Sequence, residues 1–220
     1  LCMGYTFQNF GLWDNSFYIK STPSNSAFIT SISVIFIPIF LYLCNLQKVS
    51  YKIWLIIIVA ILGLFILLNP SEGVVGGDIV TFGCAVSFAI HIILQDIYLR
   101  KGANVLRFFM IQILFVSLFS LMLSFVFQES IIFSNEVILA LFITGVLATF
   151  VGFILMLWAQ TILSATETGI LLSLEPLFAA LYSVFFAHKL LGLNGWIGGA
   201  IILFAVISSS FISTDSSENS

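Results

Sequence analysis

Apolar residues fall in long blocks separated by short polar interruptions. A helix crossing hydrocarbon needs about 20 apolar residues, with a range of about 17–25. Seven blocks have that length: Ala27–Leu46, Tyr51–Leu68, Ile79–Leu99, Leu106–Phe127, Val137–Ala159, Gly169–Phe186 and Leu193–Phe211. The Tyr51–Leu68 block is short and fits a bilayer with little tilt. Leu1–Leu12 is apolar but too short to span, and it has neither a basic leader nor a cleavage signature. It reads as the end of a truncated helix.

The interruptions carry turn chemistry. Asn69-Pro70-Ser71-Glu72-Gly73 stops one helix, because proline cannot continue it and glycine tolerates the turn. Arg100-Lys101-Gly102-Ala103-Asn104 is a polar loop, and Ser164-Ala165-Thr166-Glu167-Thr168 offers capping residues for the sixth span. The Ser- and acid-rich end, 214–220, reads as a disordered tail.

Composition turns this pattern into a membrane assignment. Of 220 residues, 60% are hydrophobic and 8% are charged, against about 25% charged in soluble domains. A globule in water needs a polar surface, whereas lipid removes that need. A soluble enzyme is therefore excluded. The net charge of −3 leaves no basic patch to neutralise phosphates, which argues against a nucleic-acid partner. Cys2, Cys44 and Cys84 are scattered through apolar stretches and read as small hydrophobes. No cofactor and no metal are expected. There is no P-loop and no HExxH, and His91 and His188 are the only histidines, so an intramembrane enzyme has little support.

Lysine and arginine placement orients the chain. Lys48, Lys52, Arg100, Lys101 and Arg107 fall on one side, with Lys20 and Lys189 on the other. The positive-inside rule puts the Lys48 loop, the Arg100 loop and the C-terminus in the cytoplasm of a multi-pass plasma-membrane protein. Glu72, Asp78, Glu129 and Glu136 then lie outside.

An offset of 142 residues carries Ser31-Ile32 to Ser173-Leu174, Phe36 to Phe178 and Trp54 to Trp196. An odd number of spans separates the two copies, so they point oppositely across the membrane. Inverted repeats of this kind characterise many secondary transporters, with the substrate site at the repeat interface.

Polar positions inside the spans are the site candidates. Cys84, Ser87, His91 and Gln95 recur at helical spacing and form one mildly polar face. Such a face should look into the bundle, where its groups find partners. Glu175 stands inside the sixth span just before Pro176, and a carboxylate there costs on the order of 2–3 kcal/mol. Pro176 frees the Leu172 carbonyl, and Pro38 does the same for Val34 in the first copy. The tentative substrate pathway is thus His91, Ser87, Gln95, Glu175, Ser173 and Ser31. Each also has a plain structural reading, as a hydrogen-bonded core residue. Asp96 and Arg100 read as an i,i+4 ion pair. Gly145, Ala148 and Gly152, and likewise Gly195, Gly199 and Ala200, read as stripes for close helix packing.

Thr22 to Pro38 resembles the fourth helix of EamA-domain transporters, in the drug/metabolite transporter superfamily. Gly145 to Gln160, with Leu163-Ser164-Ala165-Thr166-Glu167 and Ser173-Leu174-Glu175-Pro176, is similar to the eighth and ninth helices. Gly77-Asp78 with Phe88-Ala89-Ile90-His91-Ile92 resembles the sixth, and Gly195 to Ala200 the tenth. Gln47 and Lys189 stand where members usually carry glutamate.

The resemblance implies an all-α polytopic transmembrane helix bundle of two inverted five-helix repeats, the first incomplete. Residues 1–70 would end the first repeat, and 76–213 would be the complete second. It implies a permease moving a small metabolite by alternating access, the solute being amino-acid-like, an amine or drug-like. The alternative is a non-transporting membrane receptor or assembly protein. Expected partners are a small-molecule solute and the lipid bilayer, and a homodimer is allowed.

Overall fold

The computed structural model describes residues 1–14, 16–47, 49–70, 73–127, 134–185 and 191–218. Among them there is no strand, and seven helical stretches are long and apolar enough to cross a membrane. The chain is a multi-pass helical membrane protein. Lys48, Glu72, Glu129, His188 and Lys189, used above for orientation, loop or metal arguments, lie outside the described residues.

The spans follow the apolar blocks, with ends set by local chemistry. A short helix α1, Cys2–Leu12, comes first. The first span is two helices, α2 (Pro23–Ser31) and α3 (Ser33–Leu43). It starts four residues before the apolar block because the Thr22 side chain accepts from Asn25 N and Pro23 opens the helix. Helix α4, Tyr51–Leu68, is capped by Ser50 and ends at left-handed Asn69. Helix α5 is Gly76–Arg100 and α6 is Val105–Phe127. The fifth span comprises α7 (Asn135–Phe142), a π-helical stretch Ile143–Val151, and α8 (Gly152–Ala159). The sixth is again two helices, α9 (Ala165–Leu172) and α10 (Glu175–Phe185). Helix α11 runs from Leu193 to Glu218, and residues 193–212 form its apolar span.

Contacts divide the chain into two compact units. One comprises Leu1–Cys2 and Leu94–Ser164. Its small core is Leu99, Phe109 and Leu157, with Phe150 edge-on to Phe109 at 5.2 Å between ring centroids. Within the π-helical stretch, Thr149 Oγ1 donates to Thr144 O at 2.8 Å, filling an acceptor one residue further back than an α-turn would.

The other unit, Met3–Ile93 with Ala165–Ser220, holds the larger core. Val34, Ile56, Ile57, Ala60, Leu64, Ile170, Ile202, Ala205 and Val206 are buried together there. Helices α4 and α11 make its most extensive packing. Small residues allow this, since without a hydrophobic drive between helices in lipid, close van der Waals approach is what holds them. A Cβ added at Gly198 would lie 2.5 Å from Leu67 N and 2.6 Å from Gly63 O. At Gly63 it would lie 2.8 Å from the Ile202 side chain.

The stripes expected from sequence behave differently from one another. Gly199 does pack, against Leu177. The close backbone contact, however, is made by Gly198, which the expected Gly195–Gly199–Ala200 stripe left out. The nearest atoms to a Cβ at Gly195 belong to Leu191, and a Cβ at Gly145 would meet nothing within 4 Å. Small size permits close packing but does not supply the neighbour.

Gly198→Ala should therefore lower stability by about 1–3 kcal/mol through overpacking. Gly145→Ala should be neutral or stabilising, because alanine is the better helix former. Thermal unfolding in detergent measures both. A Gly198→Ala protein as stable as its parent would show that α4 and α11 do not touch at this point.

Candidate functional site

Both broken spans lie in the larger unit. The first breaks at Ile32, between α2 and α3, and the second at Ser173-Leu174, between α9 and α10. These are the positions that the 142-residue offset superposes. At the first break Ile32 N bonds both Phe28 O and Ile29 O, and Ile35 N bonds Ile32 O at 2.9 Å. At the second, Ser173 N bonds Ile170 O and Leu174 N bonds Leu171 O. Both turns tighten to i→i+3 bonding, which satisfies most of the backbone where α-bonding stops.

The cause differs between the two breaks. Pro176 sits at the second position of α10, removes one donor and disfavours helix before it. Pro38, expected to break the first span, instead lies inside α3. The break comes earlier, where Ser31 Oγ donates back to Ala27 O at 2.8 Å. Such back-bonding bends helices.

Helices α3 and α9 pack beside these breaks. Gly169 makes this possible, since a Cβ there would lie 2.5 Å from Ile37 Cδ1 and 3.7 Å from the Val34 Cα. Ser173 is buried and donates to Ile170 O at 2.6 Å. Ser31 and Ser173 thus both spend their hydroxyl protons on their own helix. Glu175 is the first residue of α10 and its side is exposed.

On α5, Ser87 Oγ donates to Gly83 O at 2.7 Å, again within the helix. Cys84 is buried and takes a weak hydrogen bond from Thr30 Oγ1 at 3.7 Å. His91 is half-buried, and its Nε2 is enclosed without a hydrogen-bond partner. Buried polar groups are rarely left so.

Further along the helix, in the smaller unit, Gln95 is fully buried and its Nε2 donates to Gln112 Oε1 at 3.2 Å. Gln95 Oε1 and Gln112 Nε2, one acceptor and one donor, stay unpartnered. Asp96 and Arg100 form the expected i,i+4 pair at 2.9 Å.

Two polar groupings escaped the sequence reading. Gln112 was overlooked, although it and Gln95 are polar residues near the joined ends of consecutive apolar helices. Asp78 figures in the sequence as an outer-side acid and in the Gly77-Asp78 resemblance, but not as a buried group. It is buried, 4% exposed, and accepts from Ser21 Oγ, from Asn25 Nδ2 at 3.3 Å and from Val75 N at 3.0 Å. The available signal was an acid in the first turn of α5 beside a Thr-Pro-Ser-Asn-Ser run.

Two broken spans packed at their breaks, within a bundle of membrane-crossing helices, define a polytopic α-helical membrane protein. The model of the EamA-like transporter family matches residues 75–211, and the chain belongs to that family. An uncharacterized transporter of Archaeoglobus fulgidus is 31% identical over 208 residues. That match takes in 93% of this chain and 64% of the relative's length.

The glutamine pair permits a sharp test. Removing one partner strands a buried amide, whereas removing both exchanges a polar contact for an apolar one. Gln112→Leu should cost roughly 1–3 kcal/mol, and Gln95→Leu combined with Gln112→Leu should recover most of it. Thermal unfolding of the three variants reads the coupling. Additive losses would mean the two amides do not meet.

Proposed function

We propose that this protein is a secondary transporter that moves a small metabolite across the plasma membrane by alternating access. The solute class we infer is amino-acid-like, amine or drug-like. The observation that carries this reading is the pair of breaks at Ile32 and Ser173-Leu174, superposed by the 142-residue offset and packed through Gly169. Discontinuous helices at matched places in two halves are how inverted-repeat transporters present polar backbone to a solute at mid-membrane. In this reading residues 1–70 and 76–213 belong to opposed repeats, and alternating access is the motion of one against the other.

His91, Ser87, Glu175, Ser173 and Ser31, all in the larger unit, line the pathway. His91 offers an unsatisfied ring nitrogen, to which a solute hydroxyl, amine or carboxylate supplies the missing partner. An exposed carboxylate cannot face hydrocarbon cheaply, so Glu175 faces an aqueous path and exchanges protons with it. Ser31 and Ser173, their protons spent on their own helices, present lone pairs.

Uptake of labelled amino acids and amines into proteoliposomes, with the protein at its natural full length, tests the reading. His91→Ala should raise the half-saturating solute concentration about tenfold, the loss of one hydrogen bond to a charged or strongly polar group, with expression unchanged. Glu175→Gln keeps the shape and should flatten the pH dependence of flux. No flux of any solute class, with the protein intact by thermal unfolding, would refute transport. Unaltered flux at every pH in Glu175→Gln would remove that residue from the pathway.

The proposed orientation places the Lys101 loop and the C-terminus in the cytoplasm. A cysteine introduced at Lys101 in a background lacking Cys2, Cys44 and Cys84 should resist an impermeant maleimide in intact cells. It should react after permeabilisation. Reaction in intact cells would invert the topology.

A further inference from the structure

A cavity of about 510 Å³ lies in the larger unit, where the α4–α5 turn meets the start of α2. Its walls are apolar, with Phe28 and Ile29 from α2, Val74 from the turn, and Ile79 and Phe82 from α5. Among the described residues of the lining, Asp78 and Asn25 carry the polar side chains. The volume falls within the roughly 300–1,000 Å³ of small-molecule sites.

The carboxylate is held by a stitched frame. Ser21 N donates to Gly11 O at 2.8 Å, and Gly77 N to Ile19 O at 2.9 Å. A side chain on Gly77 would run into the Ser21 and Gly11 backbones. Three segments are thereby fastened around the first turn of α5, and Asp78 has one place to sit.

Each hydrogen bond to Asp78 comes from an uncharged donor: the Ser21 hydroxyl, the Asn25 amide and the Val75 backbone N–H. No ion pair to it exists among the described residues. Lys20, close in sequence, is engaged with Asp14 at 2.7 Å. Buried charges are ordinarily paired or coordinated. A carboxylate has about four lone-pair directions, and the three donors leave one.

What would complete it follows from the walls. A divalent cation such as Ca²⁺ needs about six to eight oxygen ligands, and this lining is mainly apolar. An anion is repelled. A monovalent ammonium fits, because it donates to the remaining lone pair and rests against the Phe28 and Phe82 rings. The rest of the space suits an apolar body.

We propose that this cavity is a binding site for a lipophilic organic cation, a protonated amine joined to an apolar group. The ammonium itself is common to such a free amine and to the zwitterionic ethanolamine headgroup of a phospholipid. The site stands on its own geometry and does not require that the protein transport anything.

The experiment uses dansylcadaverine, a fluorescent primary amine, and its N-acetylated neutral analogue. Binding to the purified protein is measured in nanodiscs of phosphatidylcholine and of phosphatidylethanolamine, both zwitterionic. The amine should bind saturably and at least about tenfold tighter than the acetylated analogue, the scale of one charge-assisted hydrogen bond. Asp78→Asn should erase that discrimination. Ile79→Trp, which fills the cavity and leaves Asp78 in place, should weaken the amine comparably and keeps the test open should Asp78→Asn fail to fold. Weaker binding in phosphatidylethanolamine identifies the lipid headgroup as a natural occupant, and equal binding identifies a free amine. Equal affinity for amine and acetylated analogue overturns the proposal, as does amine binding unaffected by the cavity-filling variant.

Discussion

Hydrocarbon offers no hydrogen bonds, so each backbone N–H and C=O of a spanning segment must find its partner inside the protein. This constraint explains the architecture more fully than any single side chain. It makes all the spans helical and crowds polar residues into short turns. It also makes each interruption of a helix an event that needs compensation. At Ile32 and at Ser173-Leu174 the compensation is a tightened turn, helped by serine hydroxyls bonded to the preceding turn.

The helix contacts follow from the same solvent. In water α4 and α11 would be driven together by their leucines and isoleucines. In lipid those residues are equally content facing acyl chains, and many of them are exposed, Leu55, Ile58, Leu62 and Leu203 among them. Discrimination then falls to shape. Gly63 and Gly198 let two backbones approach, and the isoleucines around them fill the space. The glutamine pair and the Asp78 cluster add directional bonds in an environment where a lone polar group is costly.

Sequence reading recovered the helical class and the spans well, since length and apolarity are written directly in composition. Span ends moved by a few residues where capping overrode hydropathy, as Thr22 and Pro23 did for α2. The Ser31–Ser173 correspondence was legible through the offset, but its mechanism was not. Pro38 was the obvious breaker, and the chain bends earlier, because a proline's strain can be relieved within its own helix. Packing was less legible. Gly145 and Gly198 look alike in sequence, and only the neighbouring helix tells an open face from a seam. The burial of Asp78 was not legible because an acid at a helix start suits the dipole anyway, and nothing in the sequence says that Ser21 and Asn25 fold back over it. Of the pathway candidates, helical spacing sets Ser87, His91 and Gln95 about one turn apart along α5. Which of them lacks a partner depended on contacts no periodicity encodes.

The π-helical stretch Ile143–Val151 carries one further consequence. An α-helix advances about 100° per residue, so losing or gaining one residue in a spanning helix ordinarily swings everything beyond it onto a different face. Wide turns hold slack. Deleting one residue from this stretch can be absorbed by closing it towards α-geometry, leaving the faces of α7 and α8 as they were. Among the spans, this is the one where relatives can differ in length by a residue within the membrane itself, and where an alignment gap would be physically sensible rather than an error.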